Sequence, residues 1–341
     1  MGTRFSVSVI VPVYNAGQFI RRAVEHIIVQ PEVSEIILVE DGSADKSLDI
    51  CKKLESHYPI IKLFRHEGGV NLGAGATRNA GVRHATNEYI AFADADNFYL
   101  PNRFKIDKEI FDKDPSIDGV YQAQGVHYEN DEAKQKFFDA GLGDAEFLSV
   151  SETIPPEELL RTMLGRHPTA KIIGGLGIDA ITLRRRCFEK AGYFAPELKL
   201  QQDVYFFMKL AACCRMYPGN LNEPVALRGV HGNMRSTDSE FMDKCRRLRW
   251  ELLNDWFSKN ISDPEQTLLF KFAYTDFKIR DSRKFQSIFE LVKCFFQQPR
   301  SLFHEYGRFD MNYLSIAEDS RFLIKLLSGK NRIFRSFKGR R

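Results

Sequence analysis

Tyr89-Ile90-Ala91-Phe92-Ala93-Asp94-Ala95-Asp96-Asn97 is an apolar run of strand length that stops in two carboxylates and an amide. An uninterrupted apolar run closed by turn residues suits a strand buried on both faces. Upstream, residues 6–13 are β-branched and apolar, and Gln18 to Gln30 then place Phe19, Ile20, Ala23, Val24, Ile27 and Ile28 at helical spacing. Ile36-Ile37-Leu38-Val39 is a second short apolar run. It is followed by the turn residues Asp41-Gly42-Ser43 and a helix carrying Leu48, Cys51 and Leu54. Ile60 to Phe64 reads as a third strand, a glycine-rich stretch leads into a helix near Ala76 to His84, and Tyr89 to Ala93 is the fourth strand. Such alternation predicts an α/β fold with a mainly parallel sheet flanked by helices.

Beyond Asp107 the pattern weakens. A strand is expected near Val120 to Val126, and a helix from Pro156, where proline suits a first turn. The turn Gly174-Gly175-Leu176-Gly177 precedes a strand at Ala180 to Leu183, and Phe206 to Ala212 is helical by composition. From Ser239 onward the chain reads as all-helical, with Leu248, Leu252, Trp256 and Phe257 opening a new amphipathic series, which sets the expected domain boundary near 238.

The chain has 341 residues, 43% hydrophobic and 28% charged, which excludes a disordered protein. Met1 to Arg4 lead straight into strand-like alternation, unlike a secretory leader, and no later apolar run reaches the roughly 20 residues of a membrane-spanning helix. The expected location is the cytoplasm. Six cysteines show no C-x-x-C spacing, and Cys213 and Cys214 are direct neighbours, so buried reduced thiols are expected rather than zinc or disulfides.

In a sheet of this kind ligands sit outside the carboxyl ends of the strands. Pro12-Val13-Tyr14-Asn15 ends strand one, Glu40-Asp41-Gly42-Ser43 ends strand two, and Asp94-Ala95-Asp96-Asn97 ends strand four, so three polar clusters share one rim. Each alone would pass for turn chemistry. Two carboxylates in D-x-D repel each other unless a cation lies close, and a hard divalent ion with oxygen ligands, Mn²⁺ or Mg²⁺, meets that need and also holds a diphosphate. Gly73-x-Gly75 with Gly81 is not a dinucleotide loop, because the third glycine is misplaced and the run follows strand three.

Val9 to Asn15, Val39 to Ser43, Gly73 to Gly81 and Asp94 to Asn97, in that order and spacing, resemble the family 2 glycosyltransferases of GT-A fold, a Rossmann-like architecture. The likeness is close over about the first 110 residues and resumes at Ile181 to Leu210 and around His231. It implies a catalytic domain over 1–238, with a nucleotide-binding half 1–110 and an acceptor half 111–238, then a helical region 239–341. It further implies a nucleotide-sugar donor, UDP-linked by family likeness, and inverting transfer to a saccharide or lipid-linked saccharide in cell-surface polysaccharide or glycolipid synthesis.

Carried over residue by residue, the resemblance puts Pro12, Val13, Tyr14 and Asn15 at the nucleotide pocket, with Asp41 accepting from the base. A uracil imide N–H suits a carboxylate. Asp94, with Ala95, becomes a ribose or diphosphate contact, and Asp96 a direct metal ligand. Arg78 falls near the diphosphate or donor sugar, although a surface arginine on a helix reads the same way. Asp203 matches the catalytic base, while also suiting the N-cap of the following helix; Gln202 stands where relatives usually carry Glu. His231 resembles a late histidine that completes the metal shell or touches the diphosphate, and a purely structural loop histidine remains open. A nucleotidyltransferase would want a basic glycine-rich loop after strand one, where only Val13-Tyr14-Asn15-Ala16-Gly17 is found. A non-catalytic nucleotide-sugar-binding relative is opposed by the retained acids.

From Arg321 to Arg341 there are eight Lys or Arg residues and no Asp or Glu, against a net charge of +4 for the whole chain, with Phe322, Leu323, Ile324, Phe334 and Phe337 interleaved. Such a segment suits peripheral contact with an anionic membrane, and equally a solvated tail; no nucleic-acid motif accompanies it. Deleting residues 321–341 is expected to lower co-sedimentation with anionic vesicles, and equal sedimentation of the full and shortened chains would count against membrane contact.

Overall fold

The computed structural model describes residues 5–139, 147–231 and 239–282; the basic tail at 321–341 and its expected membrane contact lie outside them. The chain divides into a compact unit of residues 1–274 and a second unit of residues 275–341. The first half of the larger unit alternates as expected: β1 (Val7–Val13), α1 (Ile20–Ile28), β2 (Val33–Glu40), α2 (Ser47–His57), β3 (Ile61–Arg65), α3 (Ala74–His84) and β4 (Tyr89–Phe92). There follow β5 (Phe98–Tyr99), α4 (Lys105–Lys113), β6 (Gly119–Tyr121), β7 (Ala123–Tyr128), α5 (Asp131–Asp139), β8 (Phe147–Val150), α6 (Leu159–Met163), β9 (Ile172–Ile173) and β10 (Ile181–Arg184). The last elements among the described residues are α7 (Arg186–Ala191), α8 (Gln202–Cys213), β11 (Met216–Pro218), β12 (Pro224–Val230), α9 (Ser239–Asn260) and α10 (Pro264–Ser282). The helices α9 and most of α10 therefore belong to the same compact unit as the sheet.

Among the described residues seven strands form the main sheet, in the order β11-β6-β10-β4-β1-β2-β3. β1 pairs in parallel with β2 on one side and β4 on the other, and β10 is antiparallel to both of its neighbours, β4 and β6. Because the chain builds β1, β2 and β3 outward and then returns to place β4 on the other flank of β1, a crevice opens at the carboxyl ends of β1 and β4. β1 is nearly continuous core: Val7, Val9, Ile10, Val11 and Val13 are all fully buried, which is why the apolar run reads through without alternation. α1 buries Ile20, Ala23, Val24 and Ile27 on one face against it. α3 lies so close to β1 that a Cβ on Gly81 would fall 2.3 Å from the Ile10 side chain, so the helix needs glycine there.

The Val120 to Val126 run departs from expectation, being two strands rather than one. β6 belongs to the main sheet and β7 to a second, five-stranded sheet of order β5-β12-β7-β8-β9. The break is at Gln122, whose buried amide turns inward to donate to the Asp107 carboxylate at 2.7 Å and to the Arg103 carbonyl at 3.2 Å. A polar residue satisfied in the core thus marks the change of sheet.

Below the opposite edge of the main sheet Asp118 is buried and collects Lys190 on both oxygens at 2.9 and 2.8 Å, Arg186 Nε at 2.6 Å and the Arg215 N–H at 2.7 Å. Burial alone would raise its carboxyl; these hydrogen bonds outweigh it and hold the group below the ordinary carboxylate range. A depressed folded-state pKa contributes stability above the unfolded value, near pH 3.9, that is lost as pH falls through the folded one. Asp118→Asn is therefore expected to destabilise the chain by about 1–3 kcal/mol at neutral pH, with the difference from wild type shrinking below about pH 4. Denaturant melts at several pH values check this; a pH-independent difference would contradict it.

Candidate functional site

At the end of β1 the chain turns through Tyr14, which is 46% exposed, and Asn15, whose φ of +48° lies in the left-handed region where Asn is tolerated. Asn15 ties two loops together, its N–H donating to Ser43 Oγ at 3.0 Å and its Oδ1 accepting from the Ala44 N–H at 2.9 Å. Val13 is buried in the core, so its main chain is what reaches the rim, and its carbonyl accepts from the Asp41 N–H at 2.8 Å. Pro12 is half-buried beside it.

Asp41 ends β2 and is buried. Its two oxygens accept from the N–H groups of Leu72 and Gly73 at 2.7 and 3.0 Å, while Asn71 donates to its carbonyl at 3.0 Å. Its first role is thus to fold the 71–73 loop over the rim. Gly42, at φ +72°, makes room for that loop, since a Cβ would lie 2.7 Å from the Gly69 carbonyl.

The Asp94-Ala95-Asp96-Asn97 turn is held from inside by a residue that the sequence did not single out. Asp179, just before β10, is 1% exposed. Its Oδ1 accepts from the Asp94 N–H at 2.7 Å, and its Oδ2 from Asn97 Nδ2 and Gln124 Nε2, both at 2.7 Å. Its carbonyl in turn accepts from Arg103 Nε at 2.8 Å. Burial first, and then the negative charge of Asp94, push the Asp179 carboxyl up to about 7. The only local trace of this role is an acid in the glycine-rich lead-in to a strand, which has no reading without the fold.

Held in this way, the turn sends its two acids in different directions. Asp94 pairs with Arg78 Nη2 through a short ion pair. Asp96 lies 3.2 Å from His231 Nε2, and His231 stacks on Phe19 at 4.5 Å between ring centroids. The hydrogen bond that His231 donates to the Asp96 carboxylate raises the His231 pKa above its ordinary value against the opposing effect of burial. The approach depends on β12, whose Leu227 pairs with Phe98 in β5 and whose Gly229 N–H donates to Asn97 Oδ1 at 2.9 Å. Ala95 is buried in the core, so only its main chain can face a ligand.

Arg78 is not a surface arginine: it is 3% exposed, and its Nε and Nη1 are buried with no hydrogen-bond partner. Burial opposes its charge, but Asp94, Asp203 and Asp179 outweigh that and keep the guanidinium above its usual range. Arg78 therefore lies in the field of both the D-x-D turn and Asp203. Asp203 sits in the first turn of α8, where a negative charge suits the helix dipole. It is not the N-cap: Gln201 holds that position, in the left-handed conformation at φ +63° and with no side-chain cap.

The chemistry of the donor set fits a divalent ion shared with substrate. Asp96 and His231 converge, Asp94 is engaged by Arg78, and no cluster of three metal-ligating side chains occurs among the described residues. Mg²⁺ and Mn²⁺ sites built on one or two protein groups plus phosphate oxygens have this character.

Residues 8–173 match the model of the family described as Glycosyl transferase family 2. The chain is 39% identical over 106 residues to an uncharacterised glycosyltransferase of Escherichia coli, YibD, covering 31% of this chain and 30% of that protein. It is 25% identical over 236 residues to an uncharacterised glycosyltransferase of Haemophilus influenzae, covering 69% of this chain and 71% of that one. The chain thus spans less than a third of YibD. Among solved structures, residues 1–349 of S. aureus TarS superpose with a TM-score of 0.56 at 19% identity, over 85% of this chain and 78% of that one. The TarS likeness is one of fold.

Gly229 has no room for a side chain, as a Cβ would lie 2.3 Å from the Asp96 carbonyl. Gly229→Ala is expected to displace the Asp96 turn and bring the His231 pKa down toward its ordinary value. Gly119→Ala, which meets only the ends of Met216 and Leu183 near the far edge of the sheet, should leave the His231 titration unchanged. NMR titration of His231 in both variants checks this, and an equal His231 pKa in the two would contradict it.

Proposed function

With residues 8–173 placed in glycosyl transferase family 2, we propose that the chain transfers a sugar from a nucleotide-sugar, UDP-linked, to an acceptor hydroxyl with inversion at the anomeric carbon. The observation that carries this reading is Arg78, a buried guanidinium that pairs with Asp94 while lying in the field of Asp203. It joins a donor end at the D-x-D turn to an acceptor end at α8.

On the donor side the base lies at Tyr14 and Asp41. Asp41 Oδ1 already meets the Leu72 N–H and His66 Nε2 at 3.5 Å, whereas Oδ2 keeps a second lone pair beside its bond to the Gly73 N–H, and a uracil imide is a donor that fits it. The main-chain groups of Pro12, Val13 and Ala95 line the same crevice, and Asn15 fixes its outer wall. The two unpartnered Arg78 nitrogens are aimed for phosphate oxygens, which a planar fork binds well. Asp96 and His231 are the groups that would hold Mn²⁺ or Mg²⁺. Such an ion, when bound, neutralises charge on the departing diphosphate.

On the acceptor side Asp203 takes the proton from the hydroxyl as its oxygen attacks the anomeric carbon from the face opposite the leaving diphosphate. The new glycosidic bond forms as the old bond to phosphate breaks, so no covalent enzyme intermediate is needed. A teichoic acid biosynthesis protein of Bacillus subtilis, GgaB, is 36% identical over 114 residues, which supports a role in cell-surface polysaccharide or glycolipid assembly on saccharide or lipid-linked saccharide acceptors.

Asp203→Asn is expected to lower transfer by about 10²–10⁴-fold while leaving UDP affinity intact. Turnover and the anomeric proton coupling of the product check this. Wild-type transfer by the variant, or a product with the donor's own anomeric configuration, would overturn the mechanism.

A further inference from the structure

α9 packs on α8, and its inner face follows a four-residue repeat. Cys245, Leu253 and Phe257 are buried along it, with Trp250 beside them. The missing member of the series, position 249, is arginine. An arginine on an apolar stripe pays a desolvation cost that a leucine would not. Burial draws its guanidinium down to about 10, so it is still charged at neutral pH, and Asp203 is the acid whose field acts on it. Its Nε is buried without a hydrogen-bond partner. Arg246, one turn earlier, adds charge of the same sign.

The same pattern of unmet hydrogen bonding continues on the turn that carries Asp203. Gln201 Oε1 and Gln202 Oε1 are buried and unpartnered, and Gln202 is only 7% exposed. Buried polar atoms without partners are few in folded proteins and call for an occupant. The unmet groups here are of two kinds. The amide oxygens accept from hydroxyls, and the guanidinium donates to an oxyanion, for which its fork offers two parallel bonds.

We propose that Arg249 is an acceptor-binding residue, and that the acceptor is a polyhydroxylated anion whose phosphate or carboxylate lies next to the hydroxyl that Asp203 deprotonates. This rests on Asp203 as the general base and names the substrate class for that same site. Arg78 serves the donor diphosphate and Arg249 the acceptor anion, so Asp203 works between two cations supplied by different parts of the chain. A merely structural Arg249 would affect stability without distinguishing charged from neutral acceptors.

The test is calorimetric titration of the full chain, in the presence of UDP and Mn²⁺, with glucose, glucose 6-phosphate and glucuronate. Wild type is expected to bind at least one of the two anions about tenfold or more tightly than glucose, and the phosphate and carboxylate arms identify which. Arg249→Gln should abolish that preference. Arg249→Lys, which keeps the charge and loses the fork, should retain part of it and serves if the glutamine variant fails to fold. Equal affinity of wild type for glucose and both anions, no saturable binding of either anion, or full preference retained in the folded variants overturns the assignment. UDP affinity on the same preparations reports on the donor site separately.

Discussion

The buried carboxylate of Asp179 is the constraint on which the rest of the site depends. It spends one oxygen on the Asp94 N–H and the other on Asn97 and Gln124, and so fixes both ends of the D-x-D turn from beneath. Asn97, held on its amide nitrogen, is free to accept from Gly229 with its oxygen, and that bond brings β12 and His231 up to Asp96. Loss of one buried acceptor would release both acids and the histidine together.

Asp179 is itself held by a polar core. Arg103, fully buried, donates to the carbonyls of Asp179 and Ile181 and pairs with Asp107 at 2.8 Å, while Asp107 also receives Gln122 and Thr182. A hydrophobic replacement of such a cluster can match it in stability, but removing one member leaves buried charge uncompensated, at about 3–5 kcal/mol. The network supplies direction: each donor has one place to go, and the loop above it inherits that geometry. Arg78 repeats the logic from a buried position, with one guanidinium answering to Asp94 and Asp203 and two nitrogens left without a hydrogen-bond partner.

What is legible in the sequence is what is local. β1, β2 and β4 are buried on both faces, so their apolar runs stand out, and the rim formed by Tyr14, Asp41 and the D-x-D turn follows from knowing where parallel strands end. Asp203 is found through the family likeness that resumes at Ile181 to Leu210. Asp179 and Gln124 are not legible, since each acts through contacts with residues distant in the chain and carries no local signature. The second sheet is hidden for the same reason: β5, β8 and β9 are two to four residues long, and Gln122 looks like an interruption until Asp107 is seen opposite it. The N-cap reading of Asp203 and the surface reading of Arg78 both fail on a backbone angle or a burial that spacing does not encode.

The central claim is that the Asp94 and Asp96 turn is a donor diphosphate site in which Asp96 holds a divalent ion. Its most direct test is titration of UDP into wild type and Asp96→Asn with and without Mn²⁺. The account predicts that Mn²⁺ tightens UDP binding to wild type by about tenfold or more and has no such effect on the variant. Identical UDP affinity in the presence and absence of Mn²⁺ for wild type, or undiminished enhancement in Asp96→Asn, would contradict it.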